Sequence, residues 1–235
     1  MHRSFKPLVA VAALVPVAAG AAGLACARST DGAAPRFSHP RTIDNPYLPI
    51  SKTRRCEMRG VESGKQKLTI KVLLDRTRRF EINGQTVQAA IVKDRSWENG
   101  RLVERAYDYY AQADDGTVYY LGEDVNYYKS GRMTGHEGSW RYGVQTHTLG
   151  VAMPANPTVG DQWALESVGR IASEANALVQ KLPSARVRGV VYRDVIRVRA
   201  KVEPDHEVEN KLYGRGVGVL REAAPDGYVE LVRCS

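Results

Sequence analysis

Phe80-Glu81-Ile82-Asn83-Gly84-Gln85-Thr86-Val87, followed by Ser96-Trp97-Glu98-Asn99-Gly100-Arg101-Leu102-Val103, decides the fold class. In each stretch short runs rich in β-formers flank an Asn-Gly pair. Asn-Gly accepts positive φ at both turn positions, which a two-residue hairpin requires. Asp114-Asp115-Gly116 marks a third turn, with a bulge. The pattern predicts an all-β domain: an antiparallel meander forming a strongly curved sheet or a partly open barrel, with little helix beyond the N-terminal segment.

Register follows from the turns. A two-residue turn at 83–84 sets Phe80 opposite Val87. One at 99–100 sets Trp97 opposite Leu102, Arg95 opposite Glu104 and Asp94 opposite Arg105, two favourable charge pairs. On that register Phe80, Ile82, Val87, Ala89, Ile91, Trp97, Leu102, Ala106 and Tyr110 share one face with Arg78, Lys93 and Asp108. That mixture is unusual for a dry core. The third turn brings Tyr120 opposite Tyr110.

Further along, Leu165, Val168, Ile171, Ala175, Leu178 and Leu182 follow a helical period broken by Gly169, which predicts a short helix or an irregular excursion and then a strand. Apolar parity switches between 187–191 and 196–202, so a turn or bulge is expected at Gly189. A last hairpin, 212–222 with 227–233, is expected around Pro225-Asp226-Gly227. No repeat or second-domain boundary interrupts residues 44–235, which read as a single β domain.

The N-terminus reads as an export signal over residues 1–27. Basic His2, Arg3 and Lys6 precede an uncharged Ala-, Val- and Leu-rich run that ends at Leu24-Ala25-Cys26-Ala27. Cleavage after Ala27 fits the small-residue rule at this end. Lipidation of Cys26 is the other reading, although Gly23-Leu24-Ala25 lacks the Leu usual three positions before a lipidated Cys. The chain is therefore expected in the cell envelope, lipid-anchored or periplasmic, or outside the cell. Residues 28–43 read as a flexible leader. Removing Arg3 and Lys6 lowers the formal charge from +8 to +6. The basic residues are interleaved with nearly as many acids, which argues against a nucleic-acid partner; the membrane is expected to be met only through a lipid anchor. With Cys26 assigned to the signal, Cys56 and Cys234 remain as an even pair in an oxidising compartment. They are expected to form a disulfide joining the first and last strands.

Asn45-Pro46-Tyr47-Leu48-Pro49-Ile50, Tyr107-Asp108-Tyr109-Tyr110-Ala111-Gln112, Tyr120-Leu121-Gly122-Glu123-Asp124, Glu137-Gly138-Ser139-Trp140, Met153-Pro154-Ala155-Asn156-Pro157 with Val159-Gly160-Asp161, and Tyr213 to Glu222 together form a pattern. Over residues 44–222 it resembles a family of exported bacterial proteins with no assigned function. The resemblance implies a mostly β exported domain and brings no catalytic residues. The chain departs from the pattern at Cys56, where an aromatic is expected, and in the strongly basic stretch 183–202.

No constellation compels an enzyme. His136-Glu137 with His147 lacks a metal-ligand spacing, no Gly-x-Ser-x-Gly elbow occurs, and Gly214-x-Gly216-x-Gly218 precedes a strand instead of a helix. No cofactor or metal is implied. The reading is therefore a non-enzymatic exported protein that binds a small molecule, a glycan or an envelope protein, with Asp108, Tyr110, Tyr120 and Trp140 as the candidate ligand site. The alternative is a carbohydrate-active hydrolase pairing Asp108 with Asp124 or Glu137.

Overall fold

The computed structural model describes residues 34–169, 171–203 and 207–235; residues 1–27, read above as an export signal, and Cys26 among them lie outside the described residues. Fourteen strands run β1 Arg55–Glu62, β2 Lys65–Ile82, β3 Gln85–Glu98, β4 Arg101–Gln112, β5 Val118–Lys129, β6 Arg132–Gly135, β7 Trp140–Arg141, β8 Gly150–Met153, β9 Gln162–Ser167, β10 Ser173–Val187, β11 Val190–Glu203, β12 Glu207–Gly214, β13 Gly218–Ala224 and β14 Gly227–Cys234. They form one antiparallel sheet ordered β6-β5-β4-β3-β2-β1-β14-β13-β12-β11-β10-β9, with β7 and β8 also on β5. The described residues contain no helix.

Turn chemistry explains the meander. Ser63-Gly64, Asn83-Gly84, Asn99-Gly100, Ser130-Gly131 and Arg188-Gly189 all have positive φ at both positions. Each closes a two-residue hairpin, and the twist of such turns matches that of the strands. Phe80 faces Val87 as expected.

The second hairpin departs from expectation. Trp97 faces Leu102, but a bulge between Ser96 and Trp97 shifts the rest by one, so Arg95 faces Arg105 and Asp94 faces Ala106. The expected charge pairs do not form. Ala106, Asp108 and Tyr110 fall opposite Asp94, Val92 and Ala90, on the other face from Ile91. Tyr120 does face Tyr110, after a further bulge between Asp108 and Tyr110. No helix forms at 165–182 among the described residues; β9 ends at Ser167, irregular backbone follows, and the expected strand is β10, which pairs back on β9. The 3.6-like spacing came from a strand whose parity changes at the bulge between Leu178 and Gln180.

The sheet rolls up without closing. β2 and β13 are three strands apart, about 14 Å along a flat sheet. Yet Lys71 Nζ on β2 lies 3.9 Å from Glu222 Oε1 on β13. Where the ends of the roll meet, the backbones of β8 and β9 touch, and a Cβ on Gly150 would sit 1.9 Å from the Leu165 carbonyl oxygen. Trp140 Nε1 donates to Glu166 Oε1 across this seam (3.3 Å), and Thr146 Oγ1 to the Ser167 carbonyl (3.4 Å). No ladder joins β8 to β9.

Three apolar clusters hold the roll. The inner one joins Val118, Tyr120, Trp140 and Met153 to Leu178, Ile196 and Val198, residues far apart along the sheet. A second, on the outer face, gathers Phe80, Ile82, Val87, Ile91, Tyr109 and Leu121 beneath Phe37. The third packs Met58, Val187, Val195, Leu220, Val229 and Leu231 near the disulfide. Cys56 and Cys234 are bonded, with Cα atoms 4.1 Å apart, on neighbouring β1 and β14.

The leader is tied down from Pro35 onward, where flexibility was expected. Gln85 Nε2 donates to the Pro35 carbonyl, Asp114 N to that of Arg36, and Gln112 N to that of Pro40. Buried Asn45 then fastens the next segment, donating to the carbonyls of Gly116 (2.9 Å) and Pro154 (3.0 Å). Gln112 Oε1 accepts from Asn45 N, and Gly216 N donates to the Pro46 carbonyl. Four of the sequence motifs thus meet at one joint, and their role there is architectural.

Candidate ligand-binding face

Alternation along the strands decides which side chains enter the roll. Asp94, Asp108, Tyr110 and Tyr120 point inward from β3, β4 and β5, and Lys71 from β2. Glu222, Lys211, Glu209 and Glu174 point inward from the other arm of the sheet. Two lysines organise this interior. Lys71 Nζ lies 3.5 Å from Asp94 Oδ2 as well as 3.9 Å from Glu222. Lys211 Nζ lies 2.8 Å from Glu174 Oε1 and 3.3 Å from Glu209 Oε2.

Burial works against both ammonium groups, but the facing carboxylates outweigh it and hold both pKa values well above the lysine norm. The cost falls on Glu209. Burial pushes its carboxyl up to about 7, and Lys211 opposes this only in part. Tyr213, on β12, is raised to about 12, by burial first. Lys71 differs from its neighbours in that 35% of its side chain stays accessible, so the roll is not filled there.

The four residues singled out from sequence do come together. The Tyr120 hydroxyl donates to Asp108 Oδ1 (3.2 Å). The Tyr110 and Tyr120 rings lie 5.0 Å apart, and Trp140 meets Tyr120 edge-on at 5.5 Å. Asp108, Tyr120 and Trp140 are nonetheless buried, and only Tyr110 is partly accessible. Burial, then the charge of Asp108, raise the pKa of both tyrosines well above the usual value. Three of the four therefore form the floor, and the accessible part lies around Lys71, Asp94, Glu222 and Tyr213. Sequence reading missed those residues. The available signal was Lys71 itself, a lone cation inside the otherwise uncharged run Leu68 to Leu74.

The carboxylate pairs considered for hydrolysis are not assembled in this way. Asp124 lies on the face opposite Asp108, since it pairs with Tyr107 while Asp108 pairs with Glu123. Arg141 grips it from two nitrogens (2.6 and 3.0 Å to Oδ1), and the Tyr109 hydroxyl donates to Oδ2 (2.6 Å). Burial opposes its charge, but these bonds hold its pKa below the carboxylate norm. Glu137 is exposed in the turn between β6 and β7, beside Gly135. His136 and His147 are likewise exposed, and no group of three or more His, Cys, Asp or Glu among the described residues is arranged to hold a metal ion.

Two clefts open elsewhere on the surface. One, of about 390 Å³, lies by Tyr47, Lys181, Asp194 and Arg215. The other, of about 540 Å³, lies between the leader and β2, by His39, Arg41, Arg54 and Asp75. Neither is lined by Asp108, Tyr110, Tyr120 or Trp140. No protein-family model, no curated protein and no solved structure matches the chain.

Proposed function

We propose that this chain is an exported, non-enzymatic binding protein that holds a small cationic, hydroxyl-rich solute, of the amino-sugar class, on the inner face of its rolled sheet. One observation carries the reading: Lys71 remains partly accessible inside the roll while bridging carboxylates from opposite arms of the sheet. Apolar side chains of similar volume commonly match or exceed a buried ion-pair network in stability, so stability alone does not account for it. Inside the roll five carboxyl groups (Asp94, Asp108, Glu174, Glu209, Glu222) face two ammonium groups, with Asp94 and Glu222 at the accessible part. This excess suits a cationic ligand, and the Tyr110 and Tyr213 rings suit the face of a sugar.

Export is supported by the order of residues 1–27 and accords with the Cys56–Cys234 bond, which persists in oxidising compartments. Attachment through Cys26 would hold the domain at the envelope. Thermal unfolding in the presence of glucosamine, with glucose as the neutral control, tests the ligand. Glucosamine is expected to raise the melting temperature of the native chain more than glucose does, and not that of Glu222→Gln. Equal responses to the two sugars, or an undiminished glucosamine shift in Glu222→Gln, would overturn the assignment.

A further inference from the structure

The β10–β11 hairpin concentrates the charge of the whole domain. From Lys181 to Lys201 there are seven basic residues (Lys181, Arg186, Arg188, Arg193, Arg197, Arg199, Lys201) and a single acid, Asp194, a net of +6. That equals the formal charge of everything after residue 27, so the remaining residues sum to zero. All seven basic side chains are exposed. Lys201 pairs with Glu203 (2.8 Å), and Arg186 donates to the Gly189 carbonyl (2.9 Å). Among the described residues, Arg186, Arg188, Arg193, Arg197 and Arg199 have no carboxylate partner, in a protein where ion pairs are otherwise frequent.

The tip adds a second feature. Val190 and Val191 are 53% and 50% exposed, directly after the Arg188-Gly189 turn and opposite Val187 and Arg186. Two apolar side chains at the apex of a basic hairpin match a surface that is anionic outside and apolar just beneath. Arginines pair with lipid phosphates there, and the valines enter the boundary between headgroups and acyl chains. A soluble polyanion would give the valines no role. The hairpin's only aromatic, Tyr192, is half-buried and packs with the disulfide-end cluster, so it offers no stacking platform for bases.

We infer that the β10–β11 hairpin is a docking element for an anionic phospholipid surface, with its tip seated among the headgroups. The inference is independent of the solute proposal, because the inner face takes no part in it.

Sedimentation with vesicles tests it, using the chain from Arg28 onward so that no lipid anchor contributes. Binding is expected to mixed phosphatidylglycerol–phosphatidylcholine vesicles, to weaken with salt, and to be absent on pure phosphatidylcholine. Replacing Arg186, Arg188 and Arg193 with Gln is expected to weaken it about a hundred-fold, from three charges each contributing near the surface. Val190→Ser/Val191→Ser is expected to weaken it several-fold. Both variants alter exposed side chains, and unchanged thermal unfolding confirms that they are folded. Equal binding to both vesicle types, or an undiminished affinity in the arginine variant, would overturn the inference. Tight binding to heparin that is indifferent to the valine change would do so too, by making the partner a soluble polyanion.

Discussion

Breaking the Cys56–Cys234 bond probes the joint on which the architecture depends. In the order of the sheet, β1–β14 is the one ladder linking the arm β2–β8 to the arm β9–β13, and the bond lies at the end of that ladder. The two cysteines are 178 positions apart, so the bridge closes most of the chain into one loop. For a loop of that size, the entropy removed from the unfolded chain corresponds to roughly 5 kcal/mol at 25 °C. Both cysteines are only partly buried, so Cys56→Ala/Cys234→Ala adds little cavity cost. The double variant is expected to lose about 3–5 kcal/mol and to melt roughly 10–15 °C lower. Denaturant unfolding followed by tryptophan fluorescence measures the loss, each protein being extrapolated with its own m-value, which is expected to rise once the unfolded chain is no longer cross-linked. Thiol titration of the denatured, unreduced native chain should find neither Cys56 nor Cys234 reactive. A loss below about 1 kcal/mol in the extrapolated stability would refute the loop-entropy reasoning.

Two further outcomes follow from the interior and the seam. The Glu209 carboxyl titrates near 7 when folded against an ordinary 4.5. Between those values the folded state keeps a proton that the unfolded state releases, so stability falls as pH rises, by about 3 kcal/mol in all. Glu209→Gln is expected to flatten that fall and to unfold at higher urea than the native chain at pH 8; a native-like pH profile in the variant would show that another group is responsible. At the seam, Gly150→Ala places a Cβ 1.9 Å from the Leu165 carbonyl oxygen, which forces β8 and β9 apart. A loss of about 1–3 kcal/mol is expected in urea unfolding, and a fully stable variant would mean that the seam yields freely.

The legible parts of this protein were local ones. Asn83-Gly84 and Asn99-Gly100 state the dihedral angles their turns need, so both hairpins could be read without any partner. The Tyr110–Tyr120 pairing followed in the same way from the Asp114–Gly116 turn. The Cys56–Cys234 bridge was legible because the cysteine pair and the strand positions agreed.

The bulges were not legible. Val103, the extra residue opposite the Ser96–Trp97 step, reversed the facing of Ala106, Asp108 and Tyr110 relative to Ile91, and Val179, extra between Leu178 and Gln180, disguised a strand as a helical period. A bulge costs little locally and is decided by what the shifted side chains meet across the roll, such as Ile196 and Val198 packing near Tyr120.

The sequence by itself therefore determined an all-β meander, its turns and its disulfide, because each rests on neighbouring residues or on a simple count. Only the tertiary structure decided which face became the interior. Curvature brought Lys71 to Glu222 across three strand positions, buried Asp108 under Tyr120, turned Asp124 outward to Arg141, and left the arginines of the β10–β11 hairpin without carboxylate partners among the described residues. The physical reason is that side-chain alternation assigns residues to two faces, while long-range packing chooses which of the two is enclosed.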